Sequence, residues 1–273
     1  MTAAKDTDMA IYLRGEKLIG DDYSPKQTLR WFAEEEEGYA NLGAQDWSSY
    51  RYVYHALNWL HGFSALPEGT FPHVLGVGSA YGDEFRPILD RISKITILDP
   101  SDQLKVTEID DVPVSYHKPD TQGAINFEDE SFDLVTCFGV LHHIPNVSFV
   151  TSEMGRVLRK GAFALIREPA VSMGDWRRHR AGLTANERGI PEPLMRNAIE
   201  SAGLTVTKRT YCDFAPIAKL GKLLKVGGVY NYTWLTQLDA IASQMLAWNV
   251  RYHSQNILHK IAPASIFWVC QKR

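Results

Sequence analysis

The residues best suited to chemistry cluster in two stretches of the first half of the chain. In HVLGVGSAYGDEF, residues 73–85, a short apolar run ends in a turn holding Gly76, Gly78 and Gly82, and an amphipathic stretch follows. Glycines at a strand-to-helix turn let the backbone approach a ligand closely. The first turn of the helix presents unpaired N–H groups to an anionic end of that ligand. Taken alone, the turn also reads as a tight connection that binds nothing. Asp99 lies 21 residues after Gly78, at the end of the apolar run Ile95–Leu98. A carboxylate there accepts both hydroxyls of a ribose lying across strand ends, while the same Asp-Pro-Ser also reads as a plain turn. The two features at this spacing point to a nucleoside. A dinucleotide fingerprint is incomplete, because Tyr81 stands where its third glycine would be.

A third stretch decides between ligands. FEDESFDLVTCFGVLHHIPN covers residues 127–146, and RVLRKGAFALIREP covers residues 156–169. Together with the first two motifs these resemble the class I S-adenosylmethionine (SAM) dependent methyltransferases, especially those acting on small molecules. In that family an acidic segment leads into a strand of the F-D-L-V type. A V-L-H-H-I-P segment follows, then a helix ending in R-V-L and a strand ending in an acid. The resemblance spans residues 73–170; a helix over 192–203 and two last strands fit it more loosely.

The resemblance implies an α/β fold: a Rossmann-like seven-stranded, mostly parallel sheet with the last strand antiparallel and helices on both faces. A helical N-terminal segment precedes the sheet, and a helical insertion precedes the last strand. It implies S-adenosyl-L-methionine as cofactor, with Gly76, Gly78, Ser79 and Gly82 forming the loop against its amino-acid end. Asp99 takes the ribose hydroxyls, Pro100 and Ser101 border the adenine, and Asp120 or Thr121 meets the adenine amino group. Phe138 and Gly139 line the path to the sulfonium. His142 and His143 follow at the carboxyl edge of the sheet and are the candidate general bases, since histidine titrates near neutral pH; packing or capping is the competing role. Three positions depart from the family pattern. Gly76 stands where an Asp or Glu usually helps hold the methionine amino group, Ala80 replaces a glycine, and Lys160 replaces a proline. Asp83, Glu84 or a residue of the N-terminal segment is expected to supply the missing carboxylate.

The elements that must position these residues follow from the patterning. Ser24-Pro25-Lys26-Gln27 combines a helix cap, a first-turn proline and a capping-box glutamine, opening a helix to about Ala40. Tyr50, Val53, Tyr54, Leu57 and Leu60 predict a second helix from near Ser49. Strands are expected at His73–Val77, Ile95–Leu98, Phe132–Phe138, Ala162–Ile166, Leu204–Thr210 and Ser265–Gln271. Helices are expected through Phe85–Ile92, Asn146–Arg159 and Glu192–Gly203. This divides the chain into a helical lid or substrate segment over 1–70, a SAM-binding core over 71–212, an insertion over 213–262 and a last strand over 263–273. Within the insertion, Phe214, Ile217, Leu220 and Leu224 suggest one helix, and Leu235, Leu238, Ala242, Met245 and Leu246 another. Its role is to cover an apolar acceptor, form a homodimer contact or touch a membrane surface.

Composition narrows the partners. The chain has 273 residues, 29 basic against 32 acidic, and a net charge of −3, so no basic face for nucleic acid is implied. No stretch approaches the roughly 20 apolar residues of a membrane span, and the start lacks the apolar core of a signal peptide. Cys137, Cys212 and Cys270 stand far apart without metal spacing. A cytoplasmic, metal-free protein is the expectation. Glu168 is expected to pair with Arg167, or to position an acceptor. The basic run 176–180 is either an anion site or a solvated loop, and the aromatics Trp47, Tyr50, Tyr54 and Trp59 either a lid or core. The expected function is methyl transfer to a small-molecule acceptor, a secondary metabolite or saccharide, at O or N. The alternatives are a SAM-binding protein without transferase activity and an NAD(P)-binding oxidoreductase.

Overall fold

A computed structural model describes residues 9–41, 51–101, 104–176, 178–180, 182–223 and 225–273. Its centre is one sheet of β1 (Phe71–Val77), β2 (Ile92–Leu98), β3 (Glu108–Ile109), β4 (Val112–His117), β5 (Phe132–Phe138), β6 (Leu158–Pro169), β7 (Leu204–Phe214) and β8 (Pro263–Lys272), in the order β3-β4-β2-β1-β5-β6-β8-β7. Strands β4, β2, β1, β5 and β6 run parallel, and β8 is antiparallel to both β6 and β7. The order reverses between β1 and β5, which opens a crevice at the carboxyl ends of these strands.

The central strands are apolar throughout because both sheet faces are covered. With a side-chain period of two, Leu75, Val77, Val135, Cys137, Ala164, Ile166, Ile266 and Trp268 face α3 (Val147–Val157) and α4 (Glu192–Ser201). Val74, Ile95, Ile97, Leu134, Leu165, Phe267 and Val269 face α2 (His55–His61), the 3₁₀ segment Asp83–Arg91 and α6 (Thr233–Met245). Helix α1 (Pro25–Asn41) starts as read, with the Ser24 N–H donating to Gln27 Oε1 at 3.0 Å.

Four expectations change. The sheet has eight strands, the extra one being the two-residue edge strand β3. Strand β4 escapes sequence reading because it is half-exposed and interrupted by Pro113, which cannot donate to a ladder. The second helix begins at His55, whereas Ser49 and Tyr50 lie outside the described residues and Arg51–Tyr54 form no helix. Tyr54 instead stacks on Tyr230 at 5.7 Å. The segment after Gly82 is a run of 3₁₀ turns, because Pro87 has no N–H to give and Ile88 leaves the helical region at φ −133°.

The insertion holds α5 (Ala215–Leu223) and α6, with Leu224 outside the described residues. Of the apolar stripe read along α6, Leu235 is buried while Leu238 and Met245 are 45% and 70% exposed. Trp234, Ile241 and Trp248 extend this uncovered apolar surface. Among the described residues no helix is long and apolar enough to cross a membrane.

Helices α3 and α4 touch where α3 has no side chain. A Cβ at Gly155 would stand 2.3 Å from the Ala202 carbonyl oxygen at the end of α4. Gly155→Ala should therefore destabilise the fold by about 1–3 kcal/mol, seen as a fall in the thermal midpoint; an unchanged midpoint would refute this close approach.

Candidate active site

The turn after β1 is a cradle of left-handed backbone, with φ of +64° at Gly78, +49° at Ala80 and +74° at Gly82. Ala80 takes the strain that a glycine would avoid. A Cβ on Gly78 would stand 2.5 Å from the Val140 side chain, and one on Gly82 would stand 2.8 Å from Ile109. The turn thus packs against both neighbouring connections. Its Ala80 N–H donates to Asp99 Oδ2 at 3.3 Å, and the Ser101 N–H donates to Asp99 Oδ1 at 3.0 Å. Asp99 is 7% exposed at the end of β2. Burial raises its pKa, and the two N–H donors oppose that rise. Pro100 is exposed and Ser101 half-buried beside it. Asp120 and Thr121 lie exposed in the loop after β4, where Asp120 Oδ1 accepts the Gln122 N–H at 2.6 Å.

Gly76 has no room for the family's acid. A Cβ there would stand 2.2 Å from Ser79 Oγ. Ser79 Oγ in turn donates to Glu84 Oε1 at 2.7 Å, and Thr136 Oγ1 donates to the same oxygen at 2.6 Å. Thr136 is the register partner of Gly76 on β5, so a carboxylate lies over this pair although neither residue carries one. Of the compensating residues offered by the sequence, Asp83 pairs with Arg86 at 2.6 Å, and Glu84 alone turns inward. Burial pushes the Glu84 carboxyl up to about 7, against the two hydroxyl donors. It is therefore close to half-ionised near neutral pH and responds to a positive charge placed beside it.

Phe138 and Gly139 end β5 at the crevice, Gly139 with φ +72°. His142, 7% exposed, has Nδ1 2.8 Å from Glu168 Oε2 and Nε2 3.6 Å from Glu187 Oε1. Glu168 also accepts the N–H groups of Val140 and Leu141 at 2.8 and 2.9 Å. Burial disfavours the charge on His142, yet its hydrogen bonds to Glu168 and Glu187 outweigh this and lift its pKa to about 9. His143 is lowered, because burial dominates there; its Nδ1 lies 3.1 Å from Glu35 Oε2. Glu35, brought in by α1, also accepts from Thr184 Oγ1 at 2.7 Å and the Asn186 N–H at 3.1 Å. Donor atoms of His142, His143 and Glu187 lie within 4.8 Å of one another. Beneath them Arg188, fully buried, donates to the carbonyl oxygens of His142 and Ile144, both at 2.8 Å.

Sequence reasoning missed Glu35, Glu187 and Arg188, which sit in no motif and reach the histidines only through the fold. The expected Glu168–Arg167 pair is replaced by Glu168–His142: neighbours along a strand point to opposite faces, and Arg167 faces α2 and Tyr54. In the basic run, Arg177 lies outside the described residues. Arg180 donates to the carbonyl oxygens of Glu187 at 2.5 Å and Thr184 at 2.8 Å, which makes it a brace of its own loop. Trp47 lies outside the described residues, and Trp59 is 47% exposed on α2.

Residues 75–166 match the family profile described as a methyltransferase domain. No curated protein matches the chain by sequence. Among solved structures, the fold is shared with a SAM-dependent methyltransferase from Mesorhizobium loti at 15% identity and TM-score 0.53, covering 79% of this chain and 97% of that one. It is shared with the [4+2]-cyclase SpnF at 14% identity and TM-score 0.56, covering 94% and 99%. It is also shared with the N-methyltransferase NodS of Bradyrhizobium japonicum, solved with S-adenosyl-L-homocysteine, at 12% identity and TM-score 0.50, covering 88% and 98%. A carboxylate at the end of β2, a left-handed cradle after β1 and a buried acid beneath it suit a cofactor with a ribose at one end and an ammonium at the other. The chain carries a methyltransferase domain over residues 75–166, on a fold shared with SAM-dependent methyltransferases.

Proposed function

We propose that the protein methylates an oxygen or nitrogen of a small-molecule acceptor, a secondary metabolite or saccharide, at the carboxyl ends of β1, β2, β5 and β6. The observation that carries this reading is the convergence of the Gly78–Gly82 cradle, Asp99 and the buried Glu84 where the strand order reverses. The cofactor supplies an electrophilic methyl group on a sulfonium. The chain's own work is then mostly alignment, since an in-line displacement gains its rate from held geometry.

In this reading Asp99 accepts the ribose hydroxyls. Pro100 and Ser101, with Asp120 or Thr121, border the adenine. Gly78, Ser79 and Gly82 hold the amino-acid end, Gly76 contributes space, and Glu84 takes the ammonium. Phe138 and Gly139 form the floor toward the acceptor. Protonated His142, clamped by Glu168 and Glu187, holds the loop after β5 in place. His143, neutral near pH 7, takes the acceptor's proton when that acceptor is a hydroxyl. The N-terminal segment and the insertion cover the acceptor.

Titration with S-adenosylhomocysteine tests the cofactor assignment, and no binding at high micromolar concentration would overturn it. Asp99→Ala removes charge-assisted hydrogen bonds of about 1.5–3 kcal/mol, so the dissociation constant should rise by roughly 10- to 100-fold; unchanged affinity would move the ribose elsewhere. The Glu84 carboxyl is raised to about 7, so its charge appears as pH climbs through that value. Affinity of the wild type should accordingly increase from pH 6 to 7.5, and Glu84→Gln should flatten the profile. An equal slope in both proteins would remove Glu84 from the cofactor site.

A further inference from the structure

Arg167 is a buried charge that no ion pair meets among the described residues. It ends β6 with 6% exposure, and its Nη1 is buried without a hydrogen bond. Among the described residues no carboxylate lies within salt-bridge distance of it. The guanidinium carbon sits 3.9 Å from the Tyr54 ring centre and 5.8 Å from that of Phe138. A Cβ on Gly139 would stand 4.0 Å from Nη2, so the group faces the crevice floor. Ring faces attract a cation, and together with Tyr52 and Asp213 at longer range they hold the guanidinium in its charged form against its burial.

Two further unmet atoms sit on α2, which covers this side of the sheet. Asn58 Oδ1 and His61 Nε2 are buried without partners. The other ends of both side chains are held: Asn58 Nδ2 donates to the Tyr52 hydroxyl at 2.5 Å, and His61 Nδ1 lies 2.8 Å from Thr210 Oγ1. Both Tyr52 and His61 are within electrostatic reach of Arg167. A buried polar group in a native fold has a partner, and here the protein supplies none.

We propose that Arg167, with His61 on the α2 side of it, is the receptor for a carboxylate of the methyl acceptor. A guanidinium fork matches a carboxylate through two parallel N–H donors. The strand order assigns that carboxylate to the acceptor. Asp99 on β2, the cradle on β1 and Phe138–Gly139 on β5 are consecutive, and Arg167 on β6 is one strand, about 4.8 Å, beyond them. Asp213 and Glu84, both within electrostatic reach of Arg167, favour a monoanion over a phosphate dianion. The inference rests on the methyltransferase reading above and narrows its acceptor to an acid.

The test uses the full chain saturated with S-adenosylhomocysteine, titrated calorimetrically with acetate, benzoate and 4-hydroxybenzoate, each beside its methyl ester. At least one acid should bind ten times more tightly than its ester. Arg167→Gln should bring that acid down to the level of the ester while leaving affinity for S-adenosylhomocysteine within twofold. If no acid outbinds its ester in the wild type, the inference falls, while the cofactor titration still stands on its own. If Arg167→Gln weakens S-adenosylhomocysteine tenfold or more, the guanidinium serves the cofactor's carboxylate and the inference is likewise overturned. Arg167→Met separates function from folding: without ligand its thermal midpoint should equal or exceed that of the wild type. A midpoint lower by several degrees would make Arg167 structural.

Discussion

The site depends on the join between the turn after β1 and its two neighbouring strands. Asp99 ties the cradle to β2 through the Ala80 N–H. Glu84 ties it to β5 through Thr136. Both connections favour small residues where the chains meet: a Cβ at Gly76 would press on Ser79 Oγ, and one at Gly78 on the Val140 side chain. Because β1 lies between β2 and β5 at the point where strand order reverses, these contacts bring the Asp99 carboxylate, a backbone cradle and a buried acid to one edge. A side chain at Gly76 would displace Ser79 and with it one of the two hydroxyls that hold Glu84.

The burial of Glu84 has an electrostatic consequence for the proposed site. Burial of Glu84, to 4% exposure, pushes its carboxyl up to about 7, so in the proposed site a cation beside it would favour the ionised form.

The end of β6 divides two unlike environments. Glu168 points to the α3 face, where His142 and the N–H groups of Val140 and Leu141 satisfy it. Arg167 points to the α2 face, where Tyr54 covers it. On the first face a closed network of Glu35, Thr184, Glu187 and the two histidines ties α1 and the loop after β6 to the catalytic edge. The hydrogen bonds of this network hold the loop after β5 in place on that face.

Much of the fold was legible because it rests on local patterning. Continuous apolar runs for β1, β2 and β5, a helical stripe for α3 and a capping signal for α1 each state a preference within a few residues. The glycine turn and Asp99 were legible for the same reason, since backbone conformation and a strand-end carboxylate are local demands. Strand β4 was not, because a half-exposed edge strand containing Pro113 has neither an apolar run nor clean alternation. The pairing of Glu168 with His142, the arrival of Glu35 from α1 and the isolation of Arg167 were decided only by tertiary structure. Sequence determines which charges exist and the local backbone that bears them. Which of them meet, and which is buried without a partner, depends on faces and elements distant along the chain, because desolvation and pairing act through space.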